Sequence, residues 1–464
     1  MHRLKYQRMN SQQMVRLISC TLEGIKNVEH GQVEMPHSLR GGDVYRDTAE
    51  LLGIYGQNGS GKTSIIDALA CVHNLMMGRS LPAEKAYLVT QGRDAGHIEC
   101  VFALRFEELK YRVRYAVTLA VAGGELRITE EKLEYQPVRQ RARYRSVAEY
   151  EVCAAPADNL FLPEMIYRSV ISRLKEKRDA MTLAKRKAYD DVKSYIFNDE
   201  TFTLFQQGMD AERAGILVLM RWFAQKNMTV IERQHTGLLS LNLLPLRAMS
   251  KFGHAQVPMM LDAPNVMPLP AYGKLRNLTH QLNGVLNSIV PGLSVDLFEL
   301  GTKLNEQGEE VMRFELISVR GDVKIPLRYE SEGIKKILSI LGTMIEVYNN
   351  PSACLIVDEL DAGIFEYLLG ELLKVIQESG KGQLIFTSHN LRPLEMLDKD
   401  SVLFSTTNPD NRYVRFTGIK PSNNLRNCYI CEINLQEQAE QVYCPTNTSS
   451  MNRAFFRAGK ELLS

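Results

Sequence analysis

The eight residues Gly56-Gln57-Asn58-Gly59-Ser60-Gly61-Lys62-Thr63 constrain this chain more than any other stretch. They fit G-x-x-x-x-G-K-[ST] in full, and they sit where such a loop has to sit. The apolar run Leu51–Tyr55 before them reads as a strand, and a helix pattern follows through Ser64–Met77. Glycines let the backbone wrap so that consecutive N–H groups face one centre, and a helix N-terminus adds a field that favours anions. The reading is an ATP site. Lys62 neutralises the β- and γ-phosphates, the Thr63 hydroxyl ligates Mg2+, and Gly56, Asn58, Gly59, Ser60, Gly61 and Ser64 complete the cradle.

The run Cys354-Leu355-Ile356-Val357-Asp358-Glu359 supplies the other half: an apolar strand ending in two carboxylates. Asp358 is expected to hold Mg2+ through water, and Glu359 to polarise the attacking water. Asp361 follows two residues after the pair. His389, in Thr387-Ser388-His389-Asn390, follows the apolar strand Gln383–Phe386, the position of a histidine that senses a γ-phosphate. Ser331-Glu332-Gly333 opens an apolar helix. A serine N-cap accounts for it within one chain, and the same helix N-terminus suits a γ-phosphate held by another subunit. That second use implies a homodimer or higher oligomer. Gln91, between the first helix and the strand at Ile98, stands roughly where a glutamine-loop residue would and is left unassigned.

The order of patterns gives the architecture. Strand-like alternation over Val15–Met35, with a turn near Glu29–Gly31, precedes the loop. Three more strand patterns, Ile98–Phe106, Tyr111–Val121 and Leu126–Tyr135, follow it, the last two joined at Gly123-Gly124. From Pro163 to about Pro291 the reading is mostly helical, interrupted at Pro258–Pro270. Glu164–Phe197 reads as one helix of ~50 Å at 1.5 Å per residue, with Leu174, Met181, Ala188 and Tyr195 seven apart. Strands return at Ser294–Leu300 and Val311–Val319, and helix and strand alternate after Ser331. The fold class expected is therefore α/β: an ABC-type P-loop ATPase head split by a mostly helical insertion, with an antiparallel β subdomain. Residues 1–153 and 293–464 form its two lobes and 154–292 the insertion.

Composition narrows the class. The 464 residues are 45% hydrophobic and 24% charged, enough for a sizeable core, and a net charge of +2 excludes a polycation built to coat nucleic acid. No apolar run approaches the ~20 residues of a membrane span, and Met1–Gln13 lacks the apolar segment of a signal peptide. A cytoplasmic protein with no membrane partner is expected. Eight scattered cysteines suit a reducing compartment. Cys428 and Cys431 read as opposite faces of a strand, Cys428–Ile433, and with Cys444 they lack a fourth zinc ligand. Two basic features are candidates for nucleic acid. Arg139, Arg141, Arg143 and Arg145 alternate as on one strand face, and Arg173, Lys175, Lys177, Arg178, Lys185, Arg186 and Lys187 crowd the insertion. Interspersed Glu176, Asp179, Asp190 and Asp191 favour a solvated surface for the second. Glu130-Glu131 and Glu309-Glu310 likewise read as solvated.

Taken with Leu22-Glu23-Gly24-Ile25-Lys26-Asn27-Val28, with Gly53 to Leu69, and with Ser331-Glu332-Gly333, Asp358-Glu359-Leu360-Asp361 and Ser388-His389-Asn390, the chain resembles compact bacterial ATPases related to the repair protein RecF and to the OLD family. It looks like the ATPase component of phage-defence systems such as the abortive-infection AbiL type, PARIS or Septu. That resemblance implies ATP and Mg2+ as cofactors, self-association, and a separate effector nuclease, commonly of the TOPRIM type. Only about 75 residues follow His389, so the effector is expected on another polypeptide. A DNA repair or processing ATPase is the alternative. A transporter energy module is disfavoured, because Ser331 lies 268 residues beyond Thr63 and the usual Leu-Ser-Gly-Gly-Gln wording is missing.

Overall fold

The computed structural model describes residues 13–152, 160–174, 177–232, 242–250, 253–418, 424–435 and 439–462. The expected lobe boundary at 153/154 lies outside them, as do Lys175 and Glu176 of the basic insertion segment.

The central sheet is built from short apolar strands: β3 (Glu50–Tyr55), β8 (Met228–Ile231), β15 (Cys354–Val357), β16 (Gln383–Thr387), β17 (Val402–Ser405) and β18 (Tyr413–Val414). Their order is β18-β17-β3-β16-β15-β8, parallel except for β18. Such strands are buried on both faces, and alternation sorts their side chains into two cores. Leu52, Ile54, Ile356 and Ile385 face one core with helix α1 (Lys62–Met76). Leu51, Tyr55, Leu355, Val357, Leu384 and Phe386 face the other.

The first core is closed by an antiparallel sheet. Its strands are β1 (Gln13–Ile25), β2 (Val28–Glu34), β4 (Ala95–Phe106), β5 (Leu109–Ala122), β6 (Glu125–Pro137) and β7 (Arg145–Glu151), in the order β2-β1-β4-β5-β6-β7. Helices α2 (Glu164–Leu174), α3 (Arg178–Asp190), α4 (Asp199–Gly208) and α5 (Ala211–Lys226) add to it. The second core holds α6 (Leu269–Ile289), α7 (Glu332–Asn349) and α8 (Glu366–Ser379). It also takes in the hairpin β9 (Leu243–Ser250)–β10 (Gly253–Met260) and the sheet β11 (Asn265–Pro268)-β13 (Glu310–Arg320)-β12 (Leu293–Leu304), with β14 (Val323–Pro326) on β13. Two more helices follow, α9 (Leu425–Leu435) and α10 (Thr448–Leu462).

A buried arginine joins the two sheets. Arg16 of β1 is 1% exposed and pairs with Glu50 of β3 at 2.7 Å. The same guanidinium donates to the carbonyls of Thr48 (2.9 Å) and Lys381 (2.8 Å). Gln383 completes the joint, donating to Leu17 O and Glu50 Oε2 and accepting from Leu17 N. A buried charge is tolerable only when its donors are satisfied in this way.

The α/β fold with an antiparallel β sheet is the one expected; several local readings are corrected. The β1–β2 turn falls at Lys26-Asn27. Glu164–Phe197 is two helices, broken before Arg178 and ended at Asp191, where Val192 takes φ +51°. Of the residues seven apart, Met181 and Ala188 are buried on one face of α3, Tyr195 is buried in the turns beyond it, and Leu174 of α2 is half-buried. Strand β8 and most of the β9–β10 hairpin stand in the stretch expected to be helical, while the expected break, Pro258–Pro270, holds the end of β10 and the strand β11. Cys428–Ile433 is helical, since Leu425 and Tyr429, four apart, both need burial. Cys428 and Cys431 therefore lie about one turn apart rather than on opposite strand faces. Residues 139–144 form a turn, with Arg141 at φ +58°, and only Arg145 enters a strand.

The acidic pair on β6 also needs correction. Glu130 is exposed, but Glu131 is 1% exposed. One Glu131 oxygen accepts from the Tyr115 hydroxyl at 2.7 Å and from the Ser194 hydroxyl. The other accepts from the amides of Tyr195 (2.8 Å) and Ile196 (3.2 Å). The carboxylate thus pins the α3–α4 connection to the antiparallel sheet.

Candidate nucleotide site

Parallel strands put their carboxyl ends on one rim of a sheet, and ligands collect there. The rim of the central sheet carries Gly56 after β3, Asp358 after β15, Thr387 at the end of β16 and Ser405 at the end of β17. A cleft of about 1170 Å3 opens over it. Its wall brings together Asn58, Gly59, Gly61, Lys62, Thr63, Ser64, Asp358, Glu359, Asp361 and His389, gathered from stretches some 300 residues apart. Gly56 and Ser60 shape the loop from behind. Ser331 and Gly333 are not on this wall.

The glycines are required where they stand. Gly59 and Gly61 take φ +79° and +90°, in the left-handed region that other residues avoid. Gly56 takes φ +151°, and a Cβ there would meet the Ser405 hydroxyl at 2.0 Å. Lys62 curls back inside the loop, donating to Gly56 O at 2.8 Å and Gln57 O at 2.9 Å. Burial lowers its ammonium to about 8, with Asp358, Glu359 and Asp361 opposing the fall. Thr63 lies half-buried on the cleft wall.

Opposite the loop, Asp358 is 1% exposed. Its Oδ1 accepts from Thr387 Oγ1 at 2.5 Å, while its buried Oδ2 has no hydrogen-bond partner. Such a carboxylate oxygen is costly unless something positive or hydrogen-bonding completes it. Thr387 Oγ1 accepts from the Glu359 amide at 2.8 Å, and Glu359 itself takes φ +50°. A bulky residue in that region costs about 1–3 kcal/mol, and such strain gathers at functional sites. Asp361 Oδ2 accepts from the amides of His389 (3.0 Å) and Asn390 (2.9 Å), so the acidic turn and the histidine loop are locked together. His389 leaves its side chain exposed toward the cleft.

Ser331 caps α7, accepting from Ile334 N at 3.4 Å. Gly333 packs so tightly on the turn before α8 that a Cβ would lie 2.0 Å from Gly363 O.

Several residues of the site escaped the sequence reading. Asn27, in the β1–β2 turn, accepts from Ser64 Oγ at 2.9 Å and donates to Gly59 O. Lys26 beside it pairs with Asp67 of α1 at 2.6 Å and sits 5.2 Å over the Tyr87 ring. Tyr413 donates to Gly61 O at 2.7 Å, and Arg412 donates to Asn27 O. None belongs to a spaced motif; only the Asn27 stretch carried a signal, through the resemblance at Leu22–Val28. Gln91 lines the cleft as well.

Residues 51–395 match the AAA_21 family, described as "AAA domain, putative AbiEii toxin, Type IV TA system". The chain belongs to this family. The matched span begins on β3 and ends beyond His389, so it takes in every motif of the cleft. No curated protein matches the sequence. Among solved structures, the SMC head bound to the C-terminal winged-helix domain of ScpA aligns with a TM-score of 0.44 and 12% identity, over 86% of this chain and 98% of that one. The SMC head domain from Thermotoga maritima gives 0.34 and 15%, over 86% and 99%. The RecF–ATP structure gives 0.31 and 12%, over 81% and 94%. Among the described residues, no helix is long and apolar enough to cross a membrane.

Proposed function

We propose that this chain binds and hydrolyses ATP, closes as a homodimer around it, and so gates a separate effector nuclease in a phage-defence system of the abortive-infection kind. The observation that carries the ATPase part is the unpartnered Asp358 Oδ2, buried at a strand end across the cleft from Lys62 and Thr63. That donor set fits a hydrated magnesium ion held by Thr63 and Asp358, which would add positive charge beside the phosphates. Lys62 leaves its two carbonyl partners for the β- and γ-phosphates. Glu359 orients the attacking water and His389 meets the γ-phosphate. Tyr87 and Val121 on the cleft wall, 45% and 38% exposed, offer apolar surface that suits a nucleobase.

The dimer part rests on Ser331 and Gly333. Ser331 is exposed at a capped helix start off the cleft wall, where it would face a phosphate held by a second copy, with Gly333 packed behind it on Gly363. The family description, with its toxin of a toxin–antitoxin system, supports the defence setting. A DNA-processing ATPase is the second reading, favoured by the exposed Arg139, Arg141, Arg143 and Arg145 beside one edge of the antiparallel sheet.

Glu359→Gln tests the core of the proposal. It should bind ATP, turn it over very slowly and accumulate as a dimer in sedimentation runs. Turnover near the wild-type rate would assign the water to another residue. The purified chain with ATP and Mg2+ or Mn2+ should leave DNA and RNA intact. Cleavage that survives Lys62→Ala would refute the separate effector.

A further inference from the structure

The first turn of α1 is held by a residue from the other end of the chain. Gly61 is the N-cap of α1, at φ +90°, and has no side chain with which to cap it. A helix ordinarily makes its first bond between the N-cap carbonyl and the amide four residues on, here Gly61 O and Ile65 N. The Tyr413 hydroxyl stands between those two groups. It donates to Gly61 O at 2.7 Å and accepts from the Ile65 amide. Side chains inserted into a helix ladder in this way bend it or hold it open.

The packing around the ring prepares that insertion. Tyr413 is buried in the first core. A Cβ on Gly31 of β2 would lie 2.8 Å from two of its ring atoms, so a glycine there makes the room. The neighbouring Arg412 donates its amide to His30 O at 3.2 Å and its guanidinium to Asn27 O, which binds the start of β18 to the β1–β2 hairpin. Burial holds the phenol far above the ordinary tyrosine range, so the hydroxyl keeps its proton for Gly61 O. That bond in turn controls the next amide. A trans peptide points its C=O and N–H in opposite directions. A Gly61 carbonyl held toward Tyr413 therefore turns the Lys62 N–H the other way, into the cleft that Gly61 and Lys62 line. A donor already aimed at its ligand spares the binding step the cost of ordering it.

We propose that Tyr413 is a positioning residue for the phosphate loop: its hydroxyl, wedged into the first turn of α1, aims the Lys62 amide into the cleft and so sets the affinity for a triphosphate that it never touches. The inference rests on the ATP reading above and adds to it a residue that belongs to none of the nucleotide motifs.

Tyr413→Phe keeps the ring and its packing but lets Gly61 O and Ile65 N bond each other directly. In calorimetric titrations the Kd for ATP and the Kd for inorganic tripolyphosphate should each rise about tenfold, the scale of one buried hydrogen bond. In steady-state assays KM should rise with them, while kcat stays within about twofold. Tyr45→Phe is the control for a merely structural loss. Its hydroxyl is also buried and donates to a backbone carbonyl, Tyr111 O at 2.9 Å, in a separate small cluster with Met14 and Ile18. That variant should lower Tm to a similar extent and leave both Kd values unchanged. Unchanged Kd values in Tyr413→Phe, or an equal rise in Tyr45→Phe, overturn the proposal. A fall in kcat with Kd and KM unmoved overturns it as well. If the wild-type chain binds no ATP, the ATP reading fails and takes the proposal with it; if the wild-type chain binds ATP and Tyr413→Phe binds it equally well, only the role of Tyr413 is refuted.

Discussion

Thr387 Oγ1 lies 2.5 Å from Asp358 Oδ1 and donates its proton there. The hydroxyl thereby holds the carboxylate in one orientation, with Oδ2 turned to the unpartnered side. Thr387→Val keeps the shape of the side chain and deletes that bond. It should lower ATP hydrolysis about 10–100-fold, the usual cost of losing a group that orients a metal-holding carboxylate. Magnesium-free nucleotide affinity should stay within about twofold, since the loop is untouched. Wild-type turnover would remove Thr387 from the machinery.

Lys62→Ala takes away the cation closest to the proposed β- and γ-phosphates. Charge-assisted bonds of this kind give roughly 100-fold in affinity. Calorimetric titration of the variant with ATP should show at least that loss. Unchanged affinity would withdraw the phosphate-loop assignment.

Tyr87 offers an exposed ring on the cleft wall, with Lys26 over it and paired to Asp67. Base–aromatic stacking is worth about 1–3 kcal/mol. Tyr87→Ala should therefore lose about tenfold or more in ATP affinity, while binding of inorganic tripolyphosphate is unaffected. Tyr87→Phe should retain most of the affinity. Equal losses for ATP and tripolyphosphate would place Tyr87 in the framework rather than at the base.

Glu131 is a structural carboxylate whose pKa burial raises, against four hydrogen bonds that lower it. Glu131→Ala strands two hydroxyls and two amides and should destabilise the fold by about 3 kcal/mol or more, seen as a lower Tm. The sign of the pH effect follows from the raised pKa. Its stabilising share is present below the unfolded carboxylate range and is lost as pH rises through the folded value. Stability of Glu131→Gln relative to the native chain should therefore improve from pH 4 to pH 7. A difference independent of pH would mean the group titrates as in the unfolded chain.

Three of the six central strands were readable because an interior parallel strand is a short continuous apolar run, and Leu51–Tyr55, Cys354–Val357 and Gln383–Thr387 each end in chemistry that names them; β8 and β17 have no such ending and went unread. The joints between distant segments were not readable. Glu131 looks like one more strand-edge acid until Tyr195 and Ile196 bring their amides to it from over sixty residues away. Tyr413 and Arg412 reach the loop through β18, a two-residue strand too short to leave a pattern. Within Glu164–Phe197 periodicity located the buried face of α3 at Met181 and Ala188 and missed both the interruption before Arg178 and the turns after Asp190.

The place of β3 has a consequence for how the molecule comes into being. Its two neighbours in the sheet, β16 and β17, belong to the far end of the sequence, and β16 begins at Gln383, 328 positions beyond Tyr55. At a translation rate of ~5–20 residues per second, β3 waits roughly 15 to 65 s for its first hydrogen-bonded partner. During that interval a strongly apolar strand and the glycine loop hang from a growing chain with neither neighbouring strand to pair with. A ribosome that stalls anywhere before Gln383 thus releases a product that cannot assemble the cleft, and the emerging polypeptide is a natural client for a holding chaperone.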